Sequence, residues 1–174
     1  MRRVNSLAIT VVGHDRPGII ARTAEVLSAY RMNLEDSSMT LLRGHFAMTL
    51  ICAGDATAAE VEQALAAAVD PALAVTVRSV PEEDEPAPIG STHLVTVHGA
   101  DRLGIVARLA GTIAEAGGNI TDLTTRLTGS LYVLVAEVDL PPAADARSLS
   151  EALTRAGREL GVDVTVRRVE NDEL

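Results

Sequence analysis

Residues 12–22 read VGHDRPGIIAR, and residues 98–108 read HGADRLGIVAR. The displacement of 86 that superposes these phrases also aligns Thr10-Val11 with Thr96-Val97, Asn33 with Asn119 and Asp36 with Asp122. Further along, VTVRSV at 75–80 answers VTVRRV at 164–169, now 89 apart. The three extra residues are expected in PPAADARS at 141–148, because loops absorb insertions. A repeat of this size marks a duplicated domain, not a solenoid unit. Between the copies, PEEDEPAPIGST at 81–92 is rich in proline and acids and reads as an extended linker. The domains are therefore expected at 1–80 and 93–170, with an acidic tail at 171–174.

Each copy carries the same coarse pattern. LAITVV at 7–12 is rich in β-branched residues and predicts a strand. Over 17–31, Ile20, Ala24 and Leu27 fall on one stripe, with Ile19, Val26 and Tyr30 beside it, which is helical spacing. NLEDSSMTLL at 33–42 and HFAMTLICA at 45–53 flank Arg43-Gly44 and predict a hairpin. A second helix over 57–69 buries Val61, Leu65 and Ala68 behind a cap at Asp55 or Thr57. A closing strand, ALAVTVRSV, follows. The second copy predicts strands near 93–98, 120–128, 131–139 and 162–169, and helices near 103–116 and 147–160. The order βαββαβ, twice over, predicts an α+β chain of two tandem ferredoxin-like domains. Each has an antiparallel sheet with both helices on one face.

Composition narrows the function. The chain has 174 residues, 47% of them hydrophobic, with no Trp and only 2% aromatics, so Val, Leu, Ile and Ala are expected to fill its interior. Net charge is −9, with no Lys and acids in excess in both halves, so no basic face is expected for direct nucleic-acid binding. Cys52 is the single cysteine and sits in the apolar run FAMTLIC, which reads as a core position. No stretch approaches a membrane span, and the N-terminal apolar segment alternates as a strand does; the expected address is the cytoplasm.

The repeated phrase lacks the three-glycine spacing of a dinucleotide loop and the GK[ST] of a P-loop. Locally, Asp15 and Asp101 are placed to cap the helix that follows, Pro17 suits a first turn, and Gly18 and Gly104 permit close backbone approach. Glycine within a first helical turn costs about 1 kcal/mol against alanine. Its presence in both copies points equally to a carboxylate seated on the free N–H groups there. Asn33 and Asn119, at the start of the next strand, read either as turn residues or as amides able to meet an ammonium and a carboxylate together. Asp36 and Asp122 read as solvated strand residues, with counter-charges facing an interface the alternative. His14 has no echo, its counterpart being Ala100. His45, His93 and His98 show no helical metal-ligand spacing, so no metal site is expected. The hydroxyls of Ser37, Ser38, Thr124 and Thr125 have no evident base beside them, so catalysis and a cofactor are not expected.

The pattern D-R-x-G-I-[IV]-A-R, a helix, then N-[LI]-x-D on a βαββαβ plan resembles the ACT domain. GHDRPGIIARTAEVLSAYRMNLEDSSMTLLRGHFAMTLICAG is similar to the glycine cleavage system transcriptional repressor family, whose members are two ACT domains and little else. Formyltetrahydrofolate hydrolases and some phosphoserine phosphatases carry a similar segment, attached to a catalytic domain that this sequence lacks. The resemblance implies a non-enzymatic regulator that binds an amino acid such as glycine or serine at ACT interfaces. The implied ligand residues are Asp15, Arg16, Pro17, Gly18 and Asn33, and in the second copy Asp101, Arg102, Leu103, Gly104 and Asn119. The loop of one copy is expected to meet the asparagine of its partner. Leu103 for Pro17 and Ala100 for His14 make the two sites unequal. The implied partner is a regulatory protein, a DNA-binding activator, reached by protein–protein contact; homo-oligomerisation is a second expectation. The alternative reading is an interaction scaffold with vestigial ligand sites.

Overall fold

The computed structural model describes residues 5–81 and 87–170. The expectations for residues 1–4, for the acidic centre of the linker at 82–86 and for the tail at 171–174 lie outside these. The chain divides into two compact units, residues 1–85 and 86–174, each with its own core.

The first unit runs β1 (Asn5–His14), α1 (Ile19–Ala29), β2 (Asn33–Leu42), β3 (His45–Gly54), α2 (Ala58–Ala68) and β4 (Ala74–Ser79). The second runs β5 (Ser91–Ala100), α3 (Ile105–Glu115), β6 (Asn119–Thr128), β7 (Leu131–Leu140), α4 (Ala146–Leu160) and β8 (Val162–Arg168). The sheets are ordered β2-β3-β1-β4 and β6-β7-β5-β8, with every pairing antiparallel. This is the ferredoxin-like arrangement expected from the element order, in both copies.

Strand alternation decides which face is covered. Leu7, Ile9 and Val11 of β1 are fully buried against the helices, and the residues between them lie on the helix-free face. Phe46, Met48, Leu50 and Cys52 of β3 join that core. Between β2 and β3, Arg43 (φ 50°) and Gly44 (φ 80°) are both left-handed, the signature of the two-residue turn that matches strand twist.

α1 turns a different stripe inward from the one its apolar residues suggest. Ile19, Thr23 and Leu27 are buried, whereas Ile20 is half exposed and Ala24 is exposed. Thr23 tolerates burial because its hydroxyl donates to the Ile19 carbonyl at 2.9 Å, so no polar group is stranded. α2 starts at Thr57 in a full capping box: the Thr57 hydroxyl accepts from the Glu60 N–H and the Glu60 carboxylate accepts from the Thr57 N–H. The Thr57 N–H and, second, the Thr57 hydroxyl both donate to the Glu60 carboxylate and hold it below its ordinary pKa.

The insertion in the second copy is divided. Equivalent positions are 86 apart at the ends of β3 and β7, Gly54 and Leu140, and 88 apart at the caps Thr57 and Asp145. They reach 89 at Val77 and Val166, the partners of Ile9 and Val95. Two of the three residues thus enter before α4, as expected. The third enters beyond its N-cap, where α4 outruns α2 by a turn.

Candidate functional site

The repeated loops fold alike. α1 and α3 begin after Gly18 (φ 93°) and Gly104 (φ 87°), which are themselves the N-caps, in the left-handed conformation. This corrects the expected cap: neither Asp15 nor Asp101 bonds a helix N–H, and both side chains are exposed. A left-handed N-cap turns the chain into the helix at a point three residues beyond the aspartate, so its carboxylate no longer faces the first turn. Pro17 and Leu103 likewise precede the helix, and the glycines stand outside its first turn. Their role is therefore conformational, not close packing. A methyl group built on either meets nothing within 4 Å, yet its backbone angle would strain any other L-residue. Gly18 and Gly104 accept the first helical bonds, from the N–H groups of Arg22 and Arg108, both at 2.9 Å. The N–H groups of the first turn are left facing outward with the positive end of the helix dipole.

A hollow of about 260 Å³ lies beside the first loop, between Arg16, Pro17, Gly18, Ile19 and Arg22 on one side and Ala68, Asp70 and Leu73 on the other. The Arg16 guanidinium crosses it to pair with Asp70. Arg22 pairs with Glu25 along α1 at 3.1 Å. In the second copy the ion pair shifts: Arg108, the counterpart of Arg22, reaches Glu159 at 2.8 Å. Arg102 instead lies against Gly161, and Leu103 is wholly exposed at the loop tip. The two loops share a backbone and differ in their side-chain chemistry.

The asparagines open β2 and β6, as expected, and both are exposed. Each precedes a β-bulge that the sequence did not announce: the register skips Glu35 between Leu34 and Asp36, and Thr121 between Ile120 and Asp122. Asn119 borders a cleft of ≈ 300 Å³ with Ala87, Pro88, Ile89, Gly117, Asp139 and Pro141. The segment before β5 is held there by the Gly90 N–H, which donates to the Leu140 carbonyl at 2.8 Å. Only a glycine permits that approach, since a Cβ on Gly90 would fall 2.5 Å from Pro142 Cα. Asp139 accepts from the Thr92 hydroxyl at 2.6 Å.

Loop and asparagine do not meet within a copy. Asn33 pairs with Ala53, which pairs with Ser6 at the opening of β1. The glycine loop leaves the opposite end of the same strand, after His14. Eight residues of strand separate these levels, roughly 26 Å. β6, β7 and β5 repeat the relationship for Asn119 and Gly104. Asp36 and Asp122 are exposed beside the bulges, as solvated strand residues would be. Among the described residues, no group of three or more His, Cys, Asp or Glu side chains is placed to hold a metal ion. Also among them, no helix is long and apolar enough to cross a membrane. Cys52 is buried, and that burial raises its thiol pKa.

The ACT domain family model matches residues 5–78 and again 91–167. The chain belongs to the ACT-domain family and carries the domain twice. A solved structure of unknown function from Galdieria sulphuraria has the same fold over 97% of this chain and all of its own, with TM-score 0.83 and 28% identity. A candidate glycine cleavage system transcriptional repressor superposes over 97% of this chain and 99% of its own, with TM-score 0.74 and 19% identity, a likeness of fold. Among curated relatives, the UPF0237 protein of Methanopyrus kandleri is 46% identical over 74 residues, which are 42% of this chain and 82% of that protein. The UPF0237 protein of Methanocaldococcus jannaschii is 39% identical over the same shares.

Proposed function

We propose that this tandem ACT protein is a non-catalytic regulator that binds a free amino acid, with glycine and serine the first candidates, and passes on its occupancy by protein–protein contact. The carrying observation is the separation of roughly 26 Å between glycine loop and strand-start asparagine within one copy. A ligand only a few ångströms long that uses both must take them from different copies, and binding it then changes how copies associate. The first-turn N–H groups behind Gly18 and Gly104 suit its carboxylate. The asparagine amide suits its ammonium and remaining carboxylate oxygen. Differential affinity between two associations of the copies is what would make the response a signal. The likeness of fold to a candidate glycine cleavage repressor supports a role in transcriptional control of that system, exerted through a protein partner. Calorimetric titration with the twenty amino acids tests the reading, and absence of binding at millimolar ligand rejects it.

One observation favours the scaffold reading instead. β2 and β6 are ten-residue edge strands, and β2 is exposed along its whole length. Leu34, Met39, Leu41, Leu123 and Leu127 stand on these edges at 42–48% exposure, an open invitation to strand pairing. On that reading Gly18→Val and Asn119→Ala leave partner binding and any ligand response unchanged.

A further inference from the structure

The sheet brings together two histidines that helical metal-ligand spacing does not. His14, the last residue of β1, is the register partner of His45, the first residue of β3. The Asp15 N–H donates to the Gly44 carbonyl at 2.9 Å, which makes the next position along the ladder the narrow, hydrogen-bonded one. His14 and His45 are therefore a non-hydrogen-bonded pair, the class in which side chains stand closest. Their Cα atoms are about 4.5 Å apart and their Cβ atoms about 4.5–5.5 Å apart.

Both rings lie on the helix-free face, because Val11 before His14 and Phe46 after His45 point into the core. Both are exposed, and among the described residues neither makes a hydrogen bond or ion pair. The His14 Cε1 atom lies 3.7 Å from the place a Gly44 Cβ would occupy, so its ring leans across toward β3. The left-handed pair Arg43 and Gly44 fixes the start of β3 beneath His45.

We propose that His14 and His45 chelate one divalent transition-metal ion of the imidazole-preferring class, Zn²⁺, Ni²⁺ or Cu²⁺, through one ring nitrogen each. Two nitrogens bound at the usual length around a tetrahedral ion are about 3.3 Å apart, within reach of two rings on neighbouring strands. The remaining coordination positions belong to water, since no third side-chain ligand of the usual kinds joins the pair among the described residues. Affinity then follows the general order in which Cu²⁺ exceeds Ni²⁺ and Zn²⁺. The second copy has Ala100 opposite Leu131 at these places, so each chain holds one ion. The ion ties the end of β1 to the start of β3 one residue before Asp15, at the base of the loop that ends in Gly18.

Titration of the full chain with ZnCl₂, NiCl₂ and CuCl₂ in a non-chelating buffer is expected to give one ion per chain. His14→Ala and His45→Ala each weaken binding about tenfold or more, because either removes the chelate effect. His98→Ala, beside Asp163 in the other copy, leaves it unchanged. In spectra of the wild-type chain, Cu²⁺ broadens the amide signals around residues 14 and 45 before all others. Absence of stoichiometric binding, full affinity in both histidine variants, or broadening that begins elsewhere overturns the proposal. The wild-type spectra decide the matter even if a variant fails to fold.

Discussion

Gly18 and Asn33 stand at opposite ends of one sheet: Asn33 is level with Ser6, where β1 opens, and Gly18 follows His14, where it closes. Helix α1 bridges the two and returns the chain to the far edge. The same relation joins Gly104 to Asn119. A binding role for both residue types is therefore a role for two copies of the domain. It makes association of domains part of ligand recognition.

The glycines at the helix starts are held by conformation alone. Gly18→Ala and Gly104→Ala introduce a methyl into open space but force it into the left-handed region, which costs roughly 1–2 kcal/mol. Urea unfolding of each variant should show that loss with an unchanged slope against denaturant. A neutral substitution would mean that the helix begins differently.

His93 takes in the second core the place that Leu7 takes in the first, and its Nδ1 is buried without a partner among the described residues. Burial first, and the nearby Arg168 second, lower its pKa below the ordinary histidine value. The unfolded chain then takes up the proton before the folded chain does. Stability is full above about pH 6.5 and falls as pH drops through that value toward the depressed folded pKa. His93→Leu should remove this acid limb and stabilise the chain by about 1–3 kcal/mol, since it replaces an unsatisfied buried group by an apolar one. Denaturant midpoints at pH 5 and pH 8 check both parts.

Thr57 tests the capping box. Thr57→Ala removes the acceptor for the Glu60 N–H and should cost about 1 kcal/mol. The Glu60 carboxyl should also move back up toward its ordinary pKa, as the hydroxyl bond that helps lower it is lost. Thermal unfolding and carboxyl titration by NMR measure the two effects.

The fold was legible because periodicity and duplication agree. The alternation of Leu7, Ile9 and Val11 marks the buried face of β1, and Arg43-Gly44 marks the β2–β3 hairpin. The inward stripe of α1 was not legible from apolar residues alone, because Thr23 satisfies its hydroxyl on the preceding turn and so buries like an alanine. The glycine caps of α1 and α3 were not legible for a related reason. A left-handed glycine ends the loop without any side chain to announce it, and Asp15 offered a plausible substitute. The bulges at Glu35 and Thr121 and the facing of His14 with His45 are matters of register between paired strands. No local pattern encodes them.

Loop and asparagine are proposed to act together across copies. The most direct test is a calorimetric titration of glycine and serine into the wild-type chain and into Gly18→Val, Asn33→Ala, Gly104→Val and Asn119→Ala. With the copies paired within one chain, Gly18→Val and Asn119→Ala are expected to remove the same binding event, and Gly104→Val and Asn33→Ala to share the other outcome. In a chain that sediments as a monomer, matching behaviour of Gly18→Val with Asn33→Ala, distinct from Asn119→Ala, would contradict it, as would a wild-type chain that binds neither ligand.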